Sequence, residues 1–442
     1  MNHFSATVPS IGDTTNAIRR LIFVLGAMIA LTAANLLFHQ LHLGPDLFKG
    51  RICEDGYGFF PGPLFHSWDR FMDYFNMQHF QPARGEMSAL PPTLILLYQI
   101  AERLTSATSP ATSVFIFSLF QITVFASSVC RLLSSPGGVP GLDFSTRLTL
   151  AVAITVCSYP VYFAIDRGNF ALTLCALLNF AIDAHLRDKR WRAGILIGLA
   201  AALRITPLVF AAIYLSRRDF RYLLAAVVTA MLASAVSITV TGVLLEGYTL
   251  ESWLNGFDGH SYMYTTWTNG LGWSSSLYNL VRFIRYLDGI PLDAILDSAY
   301  RAEKIYSVVC AGLLGLMAWK IRRTNAITGF TLLSLAFVAL PHVTGDYYLA
   351  ALIAPMVMIA GQSRIDYLSL ILLILLLVPK DYFYFYVKIH KLTDIKVHDF
   401  AHYRELLGSG QKPSSIQALL INPLLLFWLG VRMFLRRPEG HP

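Results

Sequence analysis

Two carboxylates, two arginines and one short polar turn are the groups in this 442-residue chain whose type and spacing could do chemistry. Asp69 and Asp73 stand four residues apart in the aromatic stretch FHSWDRFMDYFNMQHF, so a helix there would present both on one face. A carboxylate at the edge of a dry cavity is a candidate general base, because partial desolvation raises its proton affinity. The same spacing also suits an interfacial amphipathic helix whose acids face water. Arg167, in Asp166-Arg167-Gly168-Asn169, and Arg204, in Arg204-Ile205-Thr206-Pro207, are each flanked by apolar sequence on both sides. A guanidinium in such a place costs about 2.5 to 3.5 kcal/mol on insertion scales and calls for an anionic partner. For Arg167 the neighbouring Asp166 would be a structural partner. A phosphate or pyrophosphate, matched to the bidentate fork of arginine, would be a functional one for both.

The turn Pro341-His342-Val343-Thr344-Gly345-Asp346-Tyr347-Tyr348 carries a histidine, an aspartate and two tyrosines between two apolar runs. It reads either as a helix end with a capping histidine or as the rim of a substrate site, with His342 and Asp346 on the rim. A longer stretch carries His260, Tyr262, Tyr264, Trp267, Asn269, Trp273 and the run Ser274-Ser275-Ser276. Aromatics among Asn and Ser suit stacking on sugar rings, and equally a belt at a membrane interface.

The elements that must position these groups follow from composition. Hydrophobic residues make up 55% of the chain and charged ones 14%, and the mean hydropathy is +0.53. A soluble domain is nearer 25% charged, so a soluble globular fold is excluded. Apolar runs recur near 21 to 41, 89 to 101, 112 to 133, 146 to 164, 168 to 186, 192 to 216, 221 to 243, 304 to 320, 325 to 341, 346 to 361, 366 to 379 and 416 to 435. This is the pattern of an all-α polytopic membrane protein with about 12 membrane helices. The net charge of +8 does not point to nucleic acid, because the Lys and Arg sit in small groups between apolar runs. The cysteines Cys53, Cys130, Cys157, Cys175 and Cys310 show no metal-ligand spacing, and no metal or cofactor is implied. The run after Arg19-Arg20 is too long for a cleaved signal and reads as a retained anchor.

The basic groups Arg19-Arg20, RDKRWR (Arg187 to Arg192), RRDFR (Arg217 to Arg221), KIRR (Lys320 to Arg323), Arg364 and Arg436-Arg437 mark cytoplasmic ends. With RDKRWR and RRDFR on one side, the stretch between them must go out and return, turning at Arg204 to Pro207, with arms too short to reach the far surface. One Pro-kinked helix is the alternative. The scheme makes residues 1–442 a single membrane domain, with residues 1–20 and 436–442 cytoplasmic and 43–88, 244–303 and 380–415 as outward loops. Residues 89 to 101 are then re-entrant or interfacial.

DRGNFALTLCALLNF followed by RWRAGILIGLAAALRITPLVFAAIYL resembles glycosyltransferase family 87, a branch of the GT-C membrane glycosyltransferases. Members show an Arg-Gly-Gln/Asn turn opening a helix, a basic loop, and Gly-x-x-x-Gly-x-x-x-x-x-Lys-x-x-Pro. Arg167-Gly168-Asn169 and Gly194 to Pro207 match, with Arg204 where the family usually has Lys. More loosely, Asp69 or Asp73 with Pro91-Pro92, Ser276-Leu277, and the turn near His342 to Tyr348 also match. The resemblance implies transfer of a hexose or pentose from a polyprenyl-phosphate donor to a lipid or glycan acceptor at the outer face of the plasma (inner) membrane. A loop aspartate, Asp69 or Asp73, would be the base. Arg204 and Arg167 would hold the donor phosphate, and Asn169, His342, Asp346, Tyr347 and Ser276 would line the substrate. Family 87 is not known for an essential metal. The rival readings are a secondary transporter or lipid flippase, which would show inverted repeats and midplane charges, and a polymerase using diphosphate-linked glycans.

Overall fold

The computed structural model describes residues 11–40, 71–78, 80–84, 88, 90–139, 141–256, 274–281, 292–362, 366–379, 384–388, 411–415 and 420–436. In chain order its helices are α1 (Ile11–Gln40), α2 (Met72–Gln78), α3 (Pro92–Thr105), α4 (Pro110–Leu133), α5 (Phe144–Val156), α6 (Tyr159–Arg167), α7 (Ala171–Leu186) and α8 (Arg190–Leu203). After a 3-10 turn (Thr206–Ala211) come α9 (Ala212–Ser216), α10 (Phe220–Leu244), α11 (Leu292–Ile321) and α12 (Ala326–Ala339). A further 3-10 turn (Asp346–Leu352) leads to α13 (Ile353–Ala360), α14 (Tyr367–Leu377) and α15 (Asn422–Leu435). A short antiparallel pair, Tyr384–Lys388 with Gln411–Ser415, is the one departure from helix among the described elements.

The chain is an all-α membrane protein. Among the described residues, Asp13–Asn35, Pro110–Leu133, Phe220–Leu244 and Arg301–Ile321 are long and apolar enough to cross a bilayer. Helix α10 shows the consequence: Leu224, Met231, Val236 and Val243 are exposed, as side chains facing lipid would be. The run at 146 to 164, expected to be one continuous segment, is instead broken at Cys157-Ser158 into α5 and α6, bent by 65°. Pro160 lies in the first turn of α6, where its missing N–H costs nothing, and Ser158 precedes it as the N-cap residue.

The basic loops gather at one end. Arg190 pairs with Asp219 at 3.1 Å, and Tyr214 donates to the Arg190 carbonyl at 3.4 Å, so the segment between the two loops goes out and comes back. At the same end Arg187 bonds the Ser134 carbonyl (2.8 Å) and Asp183 (2.7 Å). Arg20 bonds the Ala360 carbonyl (3.1 Å), Lys320 the Arg436 carbonyl (2.8 Å), and Arg436 the Gln362 side chain (3.2 Å).

The returning segment is shallow. Helices α8 and α10 start together and run in the same direction. A Cβ at Gly194 would meet the Tyr222 carbonyl at 2.8 Å, and one at Gly198 would strike the Ala226 carbonyl. Glycine at both positions is what allows the close approach. Beyond the level of Arg204 more than ten residues of α10 remain, roughly 15 Å of helix at 1.5 Å per residue. The Arg204 turn is therefore recessed below the far end of α10.

Candidate active site

Helix α6 ends in a left-handed glycine. Gly168 has φ +66°, and a Cβ there would meet Tyr74 Cβ at 2.7 Å, so both conformation and space demand glycine. The turn leaves Arg167 and Asn169 facing α2. The Asn169 amide nitrogen donates to Asp73 Oδ2 at 2.8 Å, while its Oδ1 accepts from the Ala171 N–H at 2.9 Å, which orients the amide. Arg167 Nη2 lies 3.6 Å from Asp73 Oδ1. Arg167 is buried, but the Asp73 side chain keeps 24% of its surface, so the carboxylate can still be reached.

Helix α2 is short and held from outside itself. Phe71 donates its N–H to the Asp166 carbonyl at 2.6 Å and adopts φ +58°, a strained conformation for a bulky residue. The Tyr74 hydroxyl, fully buried, lies 2.5 Å from Ser113 Oγ and 3.3 Å from Thr105 Oγ1. Tyr98 donates to the Gly168 carbonyl at 3.0 Å. The rings of Tyr74, Tyr98, Phe117 and Phe170 pack edge to face or tilted around the turn.

The second half of the site is built on Arg204. Its backbone leaves α8 in an extended conformation (φ −167°, ψ 133°). Its Nη2 donates to the Val343 carbonyl at 2.5 Å, and its guanidinium carbon lies 4.2 Å from the centre of the Tyr348 ring. Tyr347 packs edge to face with Tyr348 at 4.6 Å and tilted against Phe163 of α6 at 5.7 Å. Its contact with Phe163 links the Arg204 half to α6, the helix that ends in Arg167.

A buried polar seam supports the Arg204 half. The Ser275 N–H bonds the Thr344 carbonyl (2.9 Å), the Thr344 N–H bonds Ser274 Oγ (2.9 Å), Ser276 Oγ donates to the His342 carbonyl (2.8 Å), and Leu277 N–H bonds the Ala339 carbonyl (2.8 Å). Ser275 donates its hydroxyl to Asp346, and Asn422, opening α15, donates to Ser275 Oγ at 3.0 Å. Asp346, Ser275, Ser276 and Asn422 are all fully buried. Sequence places Asp346 on the rim; it lies inside because the Ser275 hydroxyl, itself held by Asn422, closes over its carboxylate. The half-buried His342 packs against Tyr278 (4.9 Å) and Tyr306 (5.1 Å), with its Nε2 3.3 Å from Ser307 Oγ. Burial pulls its pKa below the ordinary imidazole value, against a smaller opposing pull from Glu303.

Of the residues singled out from sequence, the structure brings together Asp73, Arg167 and Asn169, and places Arg204 against the Tyr347-Tyr348 step. Ser276 and Asp346 fall in the seam, and His342 beside it. Asp69 and Cys53 lie outside the described residues, as do His260 to Trp273. Sequence reading missed Tyr98, Ser275 as a partner of Asp346, and Asn422. Their partners lie 70, 71 and 147 residues away, and no local spacing signals them.

Fold and site define a helical membrane protein that sets a carboxylate beside one buried arginine and seats a second arginine on the neighbouring Tyr347-Tyr348 segment, away from its basic loops. Residues 90–342 match the model of glycosyltransferase family 87, and the chain belongs to that family. A stretch of 153 residues is 31% identical to a polyprenol-phosphate-mannose-dependent alpha-(1-2)-phosphatidylinositol mannoside mannosyltransferase of Mycobacterium tuberculosis, covering 33% of this chain and 34% of that one. Another of 91 residues is 36% identical to the protein of the same name from Mycolicibacterium smegmatis, 20% of each chain. The matches thus span about a third or less of these curated relatives.

Proposed function

We propose that this protein is a membrane glycosyltransferase that moves a hexose from a polyprenyl-phosphate donor to a lipid or glycan acceptor at the outer face of the plasma membrane. The observation that carries the reading is the meeting of Asp73 with Arg167 and Asn169 at the end of α6, whose Phe163 packs against Tyr347, the neighbour of the Tyr348 ring that seats Arg204. Asp73 accepts the proton of the acceptor hydroxyl. The acceptor oxygen then bonds to the anomeric carbon, and the bond from that carbon to the phosphate oxygen breaks, its electron pair leaving with the polyprenyl phosphate. Arg204 stabilises that departing charge, and Arg167 adds positive charge while fixing the Asp73 carboxylate with Asn169. Tyr347 and His342 line the sugar or acceptor. Asp69 remains the alternative base from the same loop.

Support for the donor class comes from the relatives, whose names state dependence on polyprenol-phosphate-mannose. The basic end would face the cytoplasm by the positive-inside rule, which puts the recess on the other side. The short apolar helices, among them Ala171–Leu186, Ala326–Ala339 and Tyr367–Leu377, would complete a bundle of about 12 membrane segments around the four long ones. The protein reconstituted in liposomes tests the reading, when offered a polyprenyl-phosphate hexose, a nucleotide sugar and a polyprenyl-diphosphate glycan in turn. Transfer from the monophosphate alone is expected. Transfer only from the diphosphate glycan would make the protein a polymerase, and accumulation of lipid without transfer a flippase.

A further inference from the structure

Arg204 does not hold its own position. Its guanidinium is seated on two things, the Val343 carbonyl and the face of Tyr348, and both belong to the segment that follows α12. That segment is in turn fixed by the seam at Thr344, Gly345 and Asp346, which lie between the two seat residues. Ser274 bridges Gly345, and the Ser275 backbone bonds Thr344. The Ser275 hydroxyl runs in one direction: Asn422 donates to it, and it donates to the Asp346 carboxylate. Three parts of the chain, at 274–276, 344–346 and 422, thus meet at one fully buried hydroxyl.

We infer that Ser275, with Asp346 and Asn422, is a positioning residue for donor binding, acting on the ligand only through the seat of Arg204. This rests on the reading of Arg204 as the phosphate-binding residue. Buried polar groups that lose one hydrogen bond leave their partner unsatisfied, and the segment carrying that partner relaxes toward another arrangement. Here that relaxation shifts the Val343 carbonyl and the Tyr348 ring, and Arg204 with them. Asp73, seated on α2 and the turn after α6, is held by separate contacts and stays in place.

The test measures sugar-free polyprenyl phosphate binding and steady-state transfer for Ser275→Ala, Asn422→Ala and Ser275→Thr, each alone and with Arg204→Lys, alongside thermal melting in detergent. Expected for Ser275→Ala is about a tenfold rise in donor KM and in polyprenyl phosphate Kd, with kcat lowered as well because Arg204 also stabilises the departing charge, and acceptor KM within about twofold. Asn422→Ala should show a smaller change of the same kind, and Ser275→Thr, which keeps the hydroxyl, should restore wild-type values. In the Arg204→Lys background Ser275→Ala should add less than about twofold, because both changes disturb one contact. Effects that multiply, or a fall in kcat with donor KM unchanged, would overturn the assignment. So would a melting loss with no change in donor KM. A wild-type protein that transfers nothing and binds no polyprenyl phosphate would overturn the functional reading and this inference together. Normal wild-type transfer with an unchanged Ser275→Ala variant would overturn only the inference.

Discussion

The Asn169 side-chain amide donates to Asp73 across 96 residues of sequence, at 2.8 Å. Asn169 owes its direction to Gly168, and Asp73 owes its own to a helix of only seven residues, so the contact joins two elements that could not hold the geometry alone. The carboxylate is thereby fixed on one side and reachable on the other.

Gly168→Ala should disable this arrangement. The left-handed conformation costs an alanine about 1 kcal/mol or more, and the added methyl would press on Tyr74, which carries α2. A loss of transfer of at least about tenfold is expected, with a lower melting temperature. A variant with wild-type turnover would show that the turn does not set the Asp73 position.

Tyr348 should matter to the donor chiefly as a ring. Tyr348→Phe keeps the face under Arg204 but loses the hydroxyl within its hydrogen-bond reach, and should raise donor KM less than Tyr348→Ala, which removes in addition a ring contact worth about 0.5 to 2 kcal/mol, about 2- to 30-fold in KM. Equal effects of the two substitutions would refute the seat assigned to Arg204.

The contact of Arg190 with Asp219 implies that the two basic loops share a side. In a cysteine-free background, single cysteines at positions 190 and 219 should both react with a membrane-impermeant maleimide from the same face of oriented vesicles. Labelling from opposite faces would mean that the chain crosses once between them. The pair itself is partly exposed and worth at most about 1 kcal/mol, so the substitutions should not unfold the protein.

His342 gives a pH signature. Its folded-state pKa lies below the ordinary value near 6.5, chiefly through burial. The unfolded chain therefore binds the proton more readily, and stability should be full above about pH 7.5 and fall as the pH drops through about 6.5 toward the folded value. Melting temperature followed from pH 8 to 5.5 should show this fall, with His342→Gln showing less of it. An identical profile in the variant would locate the pH sensitivity elsewhere.

Much of this was legible in the sequence because it is written locally. Lone arginines inside apolar stretches, Gly168 after Arg167, and two basic loops separated by a short apolar segment are local signals, and they favour a turn at Arg204 over one Pro-kinked helix. The break between α5 and α6 was legible in kind, since Pro160 and Ser158 are start signals, but apolar content hid it. The four-residue spacing of Asp69 and Asp73 does not choose between them. The contacts made by Asn169 and Arg167 with Asp73 are tertiary, and Asp69 lies outside the described residues. Asp346 misled for a related reason: a lone acid in a polar turn looks exposed until Ser275 and Asn422, distant in sequence, close over it.

The most direct test of the account is the turnover number of Asp73→Asn in transfer from a polyprenyl-phosphate hexose, measured with donor binding. The substitution keeps the shape and the capacity to hydrogen bond but removes the base. The account predicts a fall in kcat of about 100-fold or more with polyprenyl phosphate affinity within about threefold of wild type. Wild-type turnover in Asp73→Asn would contradict it.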